Sequence, residues 1–279
     1  MNANPILLPF PRLAGGLVEG SFVRRVKRFS VEFESGGERF WAHTNNSGAM
    51  RGLTAPGLPL LLSRATAPGR KLAYTLELVG LEHTGGRTWV GVNTLIPNRL
   101  LKAAFLAGLL PWAAGYTNIR PEARRGQSRL DALFTGPQLP PLWVECKNVT
   151  LLEDGPANPD RQVPNRGGTA AFPDAVSERA QKHLREMTEI VKNGERAACF
   201  YCIQRADAAC FAPADHIDAK YAELFRLGLA AGVEVYPYRA AITVEKLVSG
   251  DSSGDSPGGL PGEIRGGIGL GELLPLLPY

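Results

Sequence analysis

Cysteine is scarce in this chain of 279 residues, which contains four. So few cysteines exclude a disulfide framework at this length and favour a reducing cytoplasm. Cys199 and Cys202 form a CxxC pair, but they lie in AACFYCIQ, a predicted buried strand in which an offset of three places the two thiols on opposite faces. We assign both to core packing, because no second pair of Cys or His residues lies at zinc-ligand spacing.

Long apolar runs are also absent. No segment approaches the ~18–20 consecutive apolar residues that a membrane span requires, so the sequence predicts no membrane partner. The first residues, MNANPILLPFPRLAGG, lack a basic segment, and prolines interrupt their apolar stretch, so we expect no secretory signal. The sequence is therefore typical of a cytoplasmic globular protein, as a monomer or a homo-oligomer.

Positive charge is concentrated in the first third of the chain. Residues 1–90 contain 11 Lys and Arg against 6 Asp and Glu, whereas the remainder is nearly balanced. Four of these cations, interleaved with apolar residues, suit a strand that follows a phosphate backbone: Arg24, Arg25, Lys27 and Arg28. The alternative is a solvated sheet edge protected by basic residues. The charge asymmetry favours nucleic acid.

The spacing of turn residues indicates a mixed α and β chain. Short strand-like runs separated by Gly-Gly and Pro-Gly pairs predict an OB-fold-like β-barrel over residues 1–90. Alternating helical and strand patterns predict an α/β domain over residues 91–248. The Gly- and Pro-rich segment 249–279 is predicted to be a flexible tail.

The segment LWVECKN, residues 142–148, places charge inside an apolar strand. Alternate residues of a strand share a face, so Glu145 and Lys147 point the same way. If TGPQLPP forms a turn, the preceding strand SRLDALF brings Asp131 to that same side of the sheet. Two carboxylates then converge beside a lysine.

This constellation suits metal-dependent phosphodiester cleavage. Mg²⁺ or Mn²⁺ takes oxygen ligands, which Asp131, Glu145 and the carbonyl of Cys146 would supply. The metal would activate a water, while Lys147 would assist that water or stabilise the phosphate. The alternative is an ordinary Glu–Lys ion pair on a strand surface.

Nine strings resemble the sugar fermentation stimulation protein A (SfsA) family. They are VRRVKRFSVEFE, GLTAPG, RKLAYTLELV, VGVNTLIPNRL, SRLDALF, VECKNVTL, FPDAVSERAQKHLREM, IQRAD and AELFRLGLAAGVEVYPY. The resemblance implies an N-terminal OB-fold, a C-terminal PD-(D/E)XK (restriction-endonuclease-like) domain, nonspecific DNA binding and a link to sugar metabolism. The string AHTNNSGAM departs from the family's AHCPNTGSM, so chemistry that needs that thiol is not expected here.

The resemblance also implies roles for individual residues. Asp131 and Glu145 match the two motif acids and Lys147 the motif lysine, while Glu122 matches an additional acid and Gln204 the glutamine of a VQR-like string. We predict phosphate contacts from Arg129, Arg179 and Lys182. His183, flanked by cations on a predicted helix, is interpreted as facing solvent rather than as a catalytic base.

Three functional hypotheses are compatible with these residues. The first is a DNA-binding, Mg²⁺- or Mn²⁺-dependent nuclease, with RNA as an alternative substrate. The second is a noncatalytic DNA-binding regulator that retains a nuclease-like scaffold. The third is a hydrolase of a small phosphorylated metabolite.

Overall fold

The computed structural model divides the chain into two compact units. Unit 1 consists of residues 1–93 and 241–269, and unit 2 of residues 94–240 and 270–279. The structure describes residues 7–10, 17–65, 69–126, 128–153, 167–246 and 264–277. Within these ranges no helix is long and apolar enough to cross a lipid bilayer.

Unit 1 is built from short strands. They are β1 (Leu8–Pro9), β2 (Leu17–Val26), β3 (Ser30–Ser35), β4 (Glu38–His43), β5 (Pro59–Arg64), β6 (Tyr74–His83) and β7 (Gly86–Gly91). Strands β2 to β7 form one sheet in the order β4-β3-β2-β5-β6-β7. A parallel contact between β4 and β6 closes this sheet into a small barrel.

The barrel core follows from the apolar residues of its strands. Phe22 on β2 and Phe33 on β3 are paired across the two strands, and both are fully buried. Gly36 and Gly37 connect β3 to β4 with φ values of 62° and 81°. Two successive residues with positive φ form the tight hairpin turn that glycine adopts without strain. The Gly-Gly pair therefore fixes the register that sends Phe33 inward.

Unit 2 alternates helices and strands. They are α1 (Ile96–Leu106), a 3₁₀ turn (Pro111–Ala113), β8 (Asn118–Arg125), β9 (Ser128–Thr135), β10 (Leu142–Val149), β11 (Leu151–Glu153), β12 (Gly168–Phe172), α2 (Glu178–Lys192), β13 (Arg196–Ile203), β14 (Ala208–Pro213), α3 (Ala219–Ala231) and β15 (Glu234–Lys246), of which residues 241–246 belong to unit 1. Strands β8, β9 and β10 are antiparallel, whereas β10, β13 and β15 are parallel. Strands β11, β12 and β14 form a separate small sheet.

Helix α2 packs its apolar stripe onto the mixed sheet of unit 2. Ala180, Leu184, Met187 and Ile190 recur at helical spacing and are buried in one cluster with Tyr201 of β13. Residues of β10 on the same face as Tyr201 therefore lie beneath α2. Glu145 and Lys147 are on that face, because Lys147 pairs in register with Tyr201.

The prediction of a flexible tail is wrong for part of its range. Residues Ile264–Leu273 form a strand, β16, in which Ile268 is buried and pairs with Leu8 of β1. Gly266 has a φ of 128°, and a Cβ there would lie 2.0 Å from the carbonyl oxygen of Thr243. Glycine therefore permits a close backbone approach at a position where composition indicates flexibility. Residues 249–263 lie outside the described part of the chain.

A buried carboxylate joins the beginnings of α2 and α3. Asp218 accepts hydrogen bonds from the backbone amides of Ser177 (3.0 Å) and Tyr221 (2.9 Å) and from the Nε2 of Gln181 (2.9 Å). Burial opposes ionisation of Asp218, but these hydrogen bonds lower its pKa below its ordinary value. The carboxylate thus caps α3 and fixes α2 relative to it.

We expect Asp218→Ala to lower the free energy of unfolding by about 3 kcal/mol at neutral pH, because several buried donors lose a charged acceptor. The depressed pKa makes this contribution present above the ordinary aspartate pKa of ~3.9 and lost as the pH falls towards the folded value. Urea unfolding at several pH values measures it. Asp215→Ala, which removes a surface pair with Arg226, is the control and should cost less than about 1 kcal/mol. Equal losses in the two variants would contradict the capping role.

Candidate functional site

The site lies where β9 and β10 stop pairing. Their antiparallel ladder joins Leu142 through Val144 to Phe134 through Ala132 and extends no further. One position beyond it, the Oδ2 of Asp131 accepts a hydrogen bond of 2.8 Å from the backbone amide of Cys146. The side chain therefore satisfies an amide that has left the ladder, and this contact draws Asp131 towards β10.

Asp131 is held on its other oxygen by α1. The Nδ2 of Asn98 donates to the Oδ1 of Asp131 at 2.8 Å. Burial and the nearby Glu145 raise the pKa of Asp131, and these effects outweigh the two hydrogen bonds and the charge of Lys147. A cation bound beside Asp131 would stabilise its ionised form, which burial and Glu145 disfavour.

Glu145 is almost fully buried, with 3% of its surface exposed. Its Oε1 accepts hydrogen bonds from the Nζ of Lys147 at 2.7 Å and from the Nδ1 of His183 at 2.5 Å. Its Oε2 is buried and has no hydrogen-bond partner among the described residues. Burial alone would raise the pKa of Glu145, but Lys147 and His183 hold it at about 2. The site therefore contains an ionised carboxylate with one unused oxygen.

Lys147 is the cation of the site. Burial would lower its pKa, but the carboxylate of Glu145 raises the pKa above its ordinary value. The ammonium group also lies 6.0 Å from the ring centre of Phe172. Lys147 is thus charged at neutral pH, which suits it to stabilising anionic phosphate rather than to removing a proton.

The donor set fits a hard divalent cation. Mg²⁺ is commonly bound through one or two carboxylates, with waters and substrate phosphates completing its ligands. The unpartnered Oε2 of Glu145 and the carboxylate of Asp131 meet that need. Within the described ranges no group of three or more His, Cys, Asp and Glu side chains has metal-binding geometry. The carbonyl ligand predicted from Cys146 stays a prediction, since that residue contacts Asp131 through its amide.

Two further predicted catalytic residues have other partners. Glu122 on β8 is exposed and forms an ion pair of 3.2 Å with Arg129. Gln204 follows β13, is fully buried, and donates from its Nε2 to the Oδ1 of Asn148. The catalytic roles of Glu122 and Gln204 therefore stay predictions.

A basic groove of about 750 Å³ opens beside α2. It is lined by Ser128, Arg129, Glu178, Arg179, Gln181, Lys182, His183 and Arg185. The three residues predicted to contact phosphate in this unit, Arg129, Arg179 and Lys182, therefore share one groove. His183 also lines it, although only 5% of its surface is exposed. The prediction that His183 faces solvent is wrong, because the ring is turned towards Glu145.

The prediction of a strand that carries all four cations of unit 1 is wrong, because β2 ends at Val26, so that Lys27 and Arg28 lie in the turn that follows it. Arg25 donates to the backbone carbonyls of Arg28, Asn46 and Gly48, and so supports the loop after β4. These bonds leave Arg25 little donor capacity for a phosphate. Lys27 and Arg28 are exposed.

Arg24 is also exposed, but it has partners on β3 and β4. It pairs with Glu32 at 2.5 Å and lies 5.8 Å from the ring centre of Trp41. A polyanion could therefore contact Arg24 only beside the carboxylate of Glu32, or by displacing Glu32 from the guanidinium group.

Comparison with known proteins shows that each half of the chain matches a family model. A family model described as the SfsA N-terminal OB domain matches residues 23–92. A second, the sugar fermentation stimulation protein RE domain, matches residues 95–246. The chain belongs to the sugar fermentation stimulation protein family. The predicted family and fold class, an OB-fold-like barrel followed by a restriction-endonuclease-like α/β domain, are confirmed.

Individual relatives cover nearly the whole chain. A sugar fermentation stimulation protein homolog of Syntrophobacter fumaroxidans is 48% identical over 88% of this chain and 87% of its own length. The homolog of Lawsonia intracellularis is 43% identical over 97% of this chain and 98% of its own. A solved structure, Pyrococcus furiosus SfsA in complex with Ca²⁺, is 25% identical, with a TM-score of 0.70 over 94% of this chain and 96% of that one.

Proposed function

We propose that this protein is a DNA-binding phosphodiesterase that depends on Mg²⁺ or Mn²⁺. The observation that carries the proposal is the buried Oε2 of Glu145, which has no hydrogen-bond partner among the described residues and belongs to a carboxylate beside Asp131 and Lys147. Leaving a buried anionic oxygen unpaired is costly, and a bound cation removes that cost.

Each group of residues in the site has a separate role in this proposal. Asp131 and Glu145 would hold the metal, which when bound lowers the pKa of a water and offsets charge on the phosphate. Lys147 stabilises negative charge that develops on the phosphate during attack. Arg129, Arg179 and Lys182 in the groove bind neighbouring phosphates and position the strand.

A relative supports the choice of a divalent cation. The Pyrococcus furiosus protein was solved in complex with Ca²⁺, which like Mg²⁺ takes oxygen ligands. Ca²⁺ binds carboxylates without reproducing the strict octahedral geometry of Mg²⁺. We therefore propose Mg²⁺ or Mn²⁺ as the ion that supports cleavage, with Ca²⁺ as a binding competitor.

The proposed polymer is DNA, bound without sequence preference. Support comes from exposed cations in each unit, because phosphate contacts of this kind carry no sequence information. RNA is the alternative polymer. All four cysteines are buried free thiols, a state typical of reducing compartments, and we propose that the protein acts in the cytoplasm. The family's name links it to sugar fermentation.

Cleavage of supercoiled plasmid, single-stranded DNA and RNA tests the proposal. The wild-type protein should nick DNA with Mg²⁺ or Mn²⁺, and Asp131→Asn, which removes a carboxylate that would hold the metal, should be slower by at least about 100-fold. Asp215→Asn, a half-buried residue of the same unit, is the matched control. Equal cleavage by wild type and Asp131→Asn would contradict the proposal.

Two other results would favour the competing hypotheses. DNA binding without cleavage under any metal would favour a noncatalytic regulator. Hydrolysis of free nucleotides or sugar phosphates in place of DNA would favour a metabolite hydrolase.

A further inference from the structure

His183 is a buried histidine whose ring touches the site from a different element. It lies in the second turn of α2, 38 residues from Glu145 along the chain, and its Nδ1 is 2.5 Å from the Oε1 of Glu145. A buried polar side chain is constrained by the partner to which it is hydrogen-bonded. The contact therefore couples the position of α2 to the orientation of the carboxylate.

The chemistry of the pair assigns the hydrogen. The Oε1 of Glu145 accepts from the ammonium group of Lys147, which can only donate, so Oε1 is an acceptor and the Nδ1 of His183 is the donor. A carboxylate oxygen offers two lone pairs, so the two donors saturate Oε1 and leave Oε2 as the oxygen available to a cation. The structure agrees with this assignment, because Oε2 has no hydrogen-bond partner in the described part of the chain.

The helix that carries His183 is itself firmly held. The hydroxyl of Ser177 caps the α2 N-terminus by accepting from the amide of Ala180, and Gln181 is hydrogen-bonded to Asp218. Leu184 and Met187, on the same stripe as His183, are buried in the core. His183 thus presents its donor from a rigid support, which is what a group that orients a metal ligand requires.

We propose that His183 is a positioning residue that fixes the carboxylate of Glu145 so that its Oε2 faces the divalent cation. This inference rests on the proposed function and adds a named residue to it. Without His183, Lys147 is the remaining donor to Glu145 within the described ranges, and the carboxylate is free to rotate and share both oxygens with the ammonium group. Oε2 is then hydrogen-bonded to Lys147 for part of the time and is less available to the cation, so the affinity for the cation falls.

Two other roles for His183 fit the contacts less well. As a ligand of the same cation it would have to use its Nε2, whose lone pair points away from Nδ1 and therefore away from the carboxylate that Nδ1 contacts. As a residue of the apolar core alone it would not need a hydrogen bond to an ionised carboxylate. Hydrogen-bonded partners of ligating carboxylates typically change metal affinity by 10–100-fold when they are removed.

The test measures Mn²⁺ and Ca²⁺ affinity by isothermal titration calorimetry on the full chain, without substrate. His183→Leu removes the donor and should weaken binding by about 10–100-fold. His183→Asn retains a side-chain N–H near the position of Nδ1 and should restore affinity to within a few-fold of the wild type. Glu145→Gln should abolish binding. Thr188→Val, a neutral change on the same helix, is the control and should have no effect.

The outcomes separate this inference from the proposed function. If Glu145→Gln abolishes binding but His183→Leu binds as the wild type does, the positioning role is wrong and the metal site stands. If Glu145→Gln also binds normally, the metal site itself is wrong.

A second measurement needs no substitution and covers the case in which His183→Leu fails to fold. In the wild-type protein, the Nδ1 proton of His183 should give a hydrogen-bonded NMR resonance that persists when Mg²⁺ is added. Its disappearance on saturation with Mg²⁺ would overturn the inference.

Discussion

Replacing Lys147 with methionine should lower the free energy of unfolding by about 3 kcal/mol at pH 7. The buried ammonium group and His183 together hold the pKa of Glu145 at about 2, and without the ammonium group two carboxyl groups, Glu145 and Asp131, share a buried site. Removing one partner of a buried ion pair leaves an uncompensated charge, which typically costs 3–5 kcal/mol. Methionine keeps most of the side-chain volume, so the loss reports charge rather than packing.

The loss of unfolding free energy in Lys147→Met should depend on pH and on the presence of a divalent metal ion. In the variant the pKa of Glu145 rises towards its ordinary value, so the difference from the wild type is present above about pH 4 and shrinks as the carboxyl is protonated. Mn²⁺ should recover part of the stability, because it binds only the folded protein. Single-turnover DNA cleavage should fall by about 10²–10³-fold, as expected when a group that stabilises developing charge is removed.

Urea unfolding at pH 3 and pH 7, with and without Mn²⁺, measures these effects. Lys192→Met at the end of α2 is the control, since Lys192 is exposed and pairs with Glu189 on the surface. Unchanged stability and unchanged cleavage in Lys147→Met would contradict the assignment of Lys147 as the cation of the site.

DNA affinity should fall steeply with salt and should depend on two exposed cations of unit 1. For each phosphate contact, the slope of log affinity against log salt is about −0.9. Replacing both Lys27 and Arg28 with glutamine should therefore make the slope shallower by about 2, and weaken binding at low salt by about 10²-fold. The change should be similar for unrelated DNA sequences, because phosphate contacts carry no sequence information.

A matched pair separates local contact from net charge. Arg70 and Lys71 are exposed cations of the same unit, and their double replacement by glutamine removes the same charge. Fluorescence anisotropy over a series of salt concentrations measures both variants. If the Arg70 and Lys71 variant loses as much affinity and slope as the other, nucleic acid is not bound at the turn that contains Lys27 and Arg28.

The sequence predicts the pairing of Asp131 and Glu145 because the signals are local. Strands alternate their side chains with a period of two, and a short turn joins the strands that carry the two acids. If the two strands form a hairpin, Asp131 and Glu145 must lie on the same face of the sheet. The same reasoning predicts Lys147 on that face, two residues after Glu145.

The partners of those residues depend on packing between distant segments. Asn98 reaches Asp131 from α1, and His183 reaches Glu145 from α2, across 33 and 38 residues respectively. A signal for His183 exists: it occurs one position before Leu184, on the stripe of α2 that also includes Ala180 and Met187. Its charged neighbours Lys182 and Arg185 obscure that signal.

Backbone geometry explains the other differences. Composition predicts a flexible tail around the glycines of β16, whereas Gly266 allows two strands to approach closely. Arg25 belongs by sequence to a basic run, but its guanidinium donates to carbonyls of a loop that follows the next hairpin. Neither fact is readable from a single strand, because both depend on which backbone atoms lie opposite.

Anomalous diffraction from wild-type crystals soaked in Mn²⁺ is the most direct test of the site. We predict a peak within coordination distance of the Oε2 of Glu145 and of the carboxylate of Asp131, with the Nδ1 of His183 still bonded to the Oε1 of Glu145. A fully soaked crystal with no peak between Glu145 and Asp131, or with Mn²⁺ bound only elsewhere on the protein, would contradict the proposed metal-dependent activity.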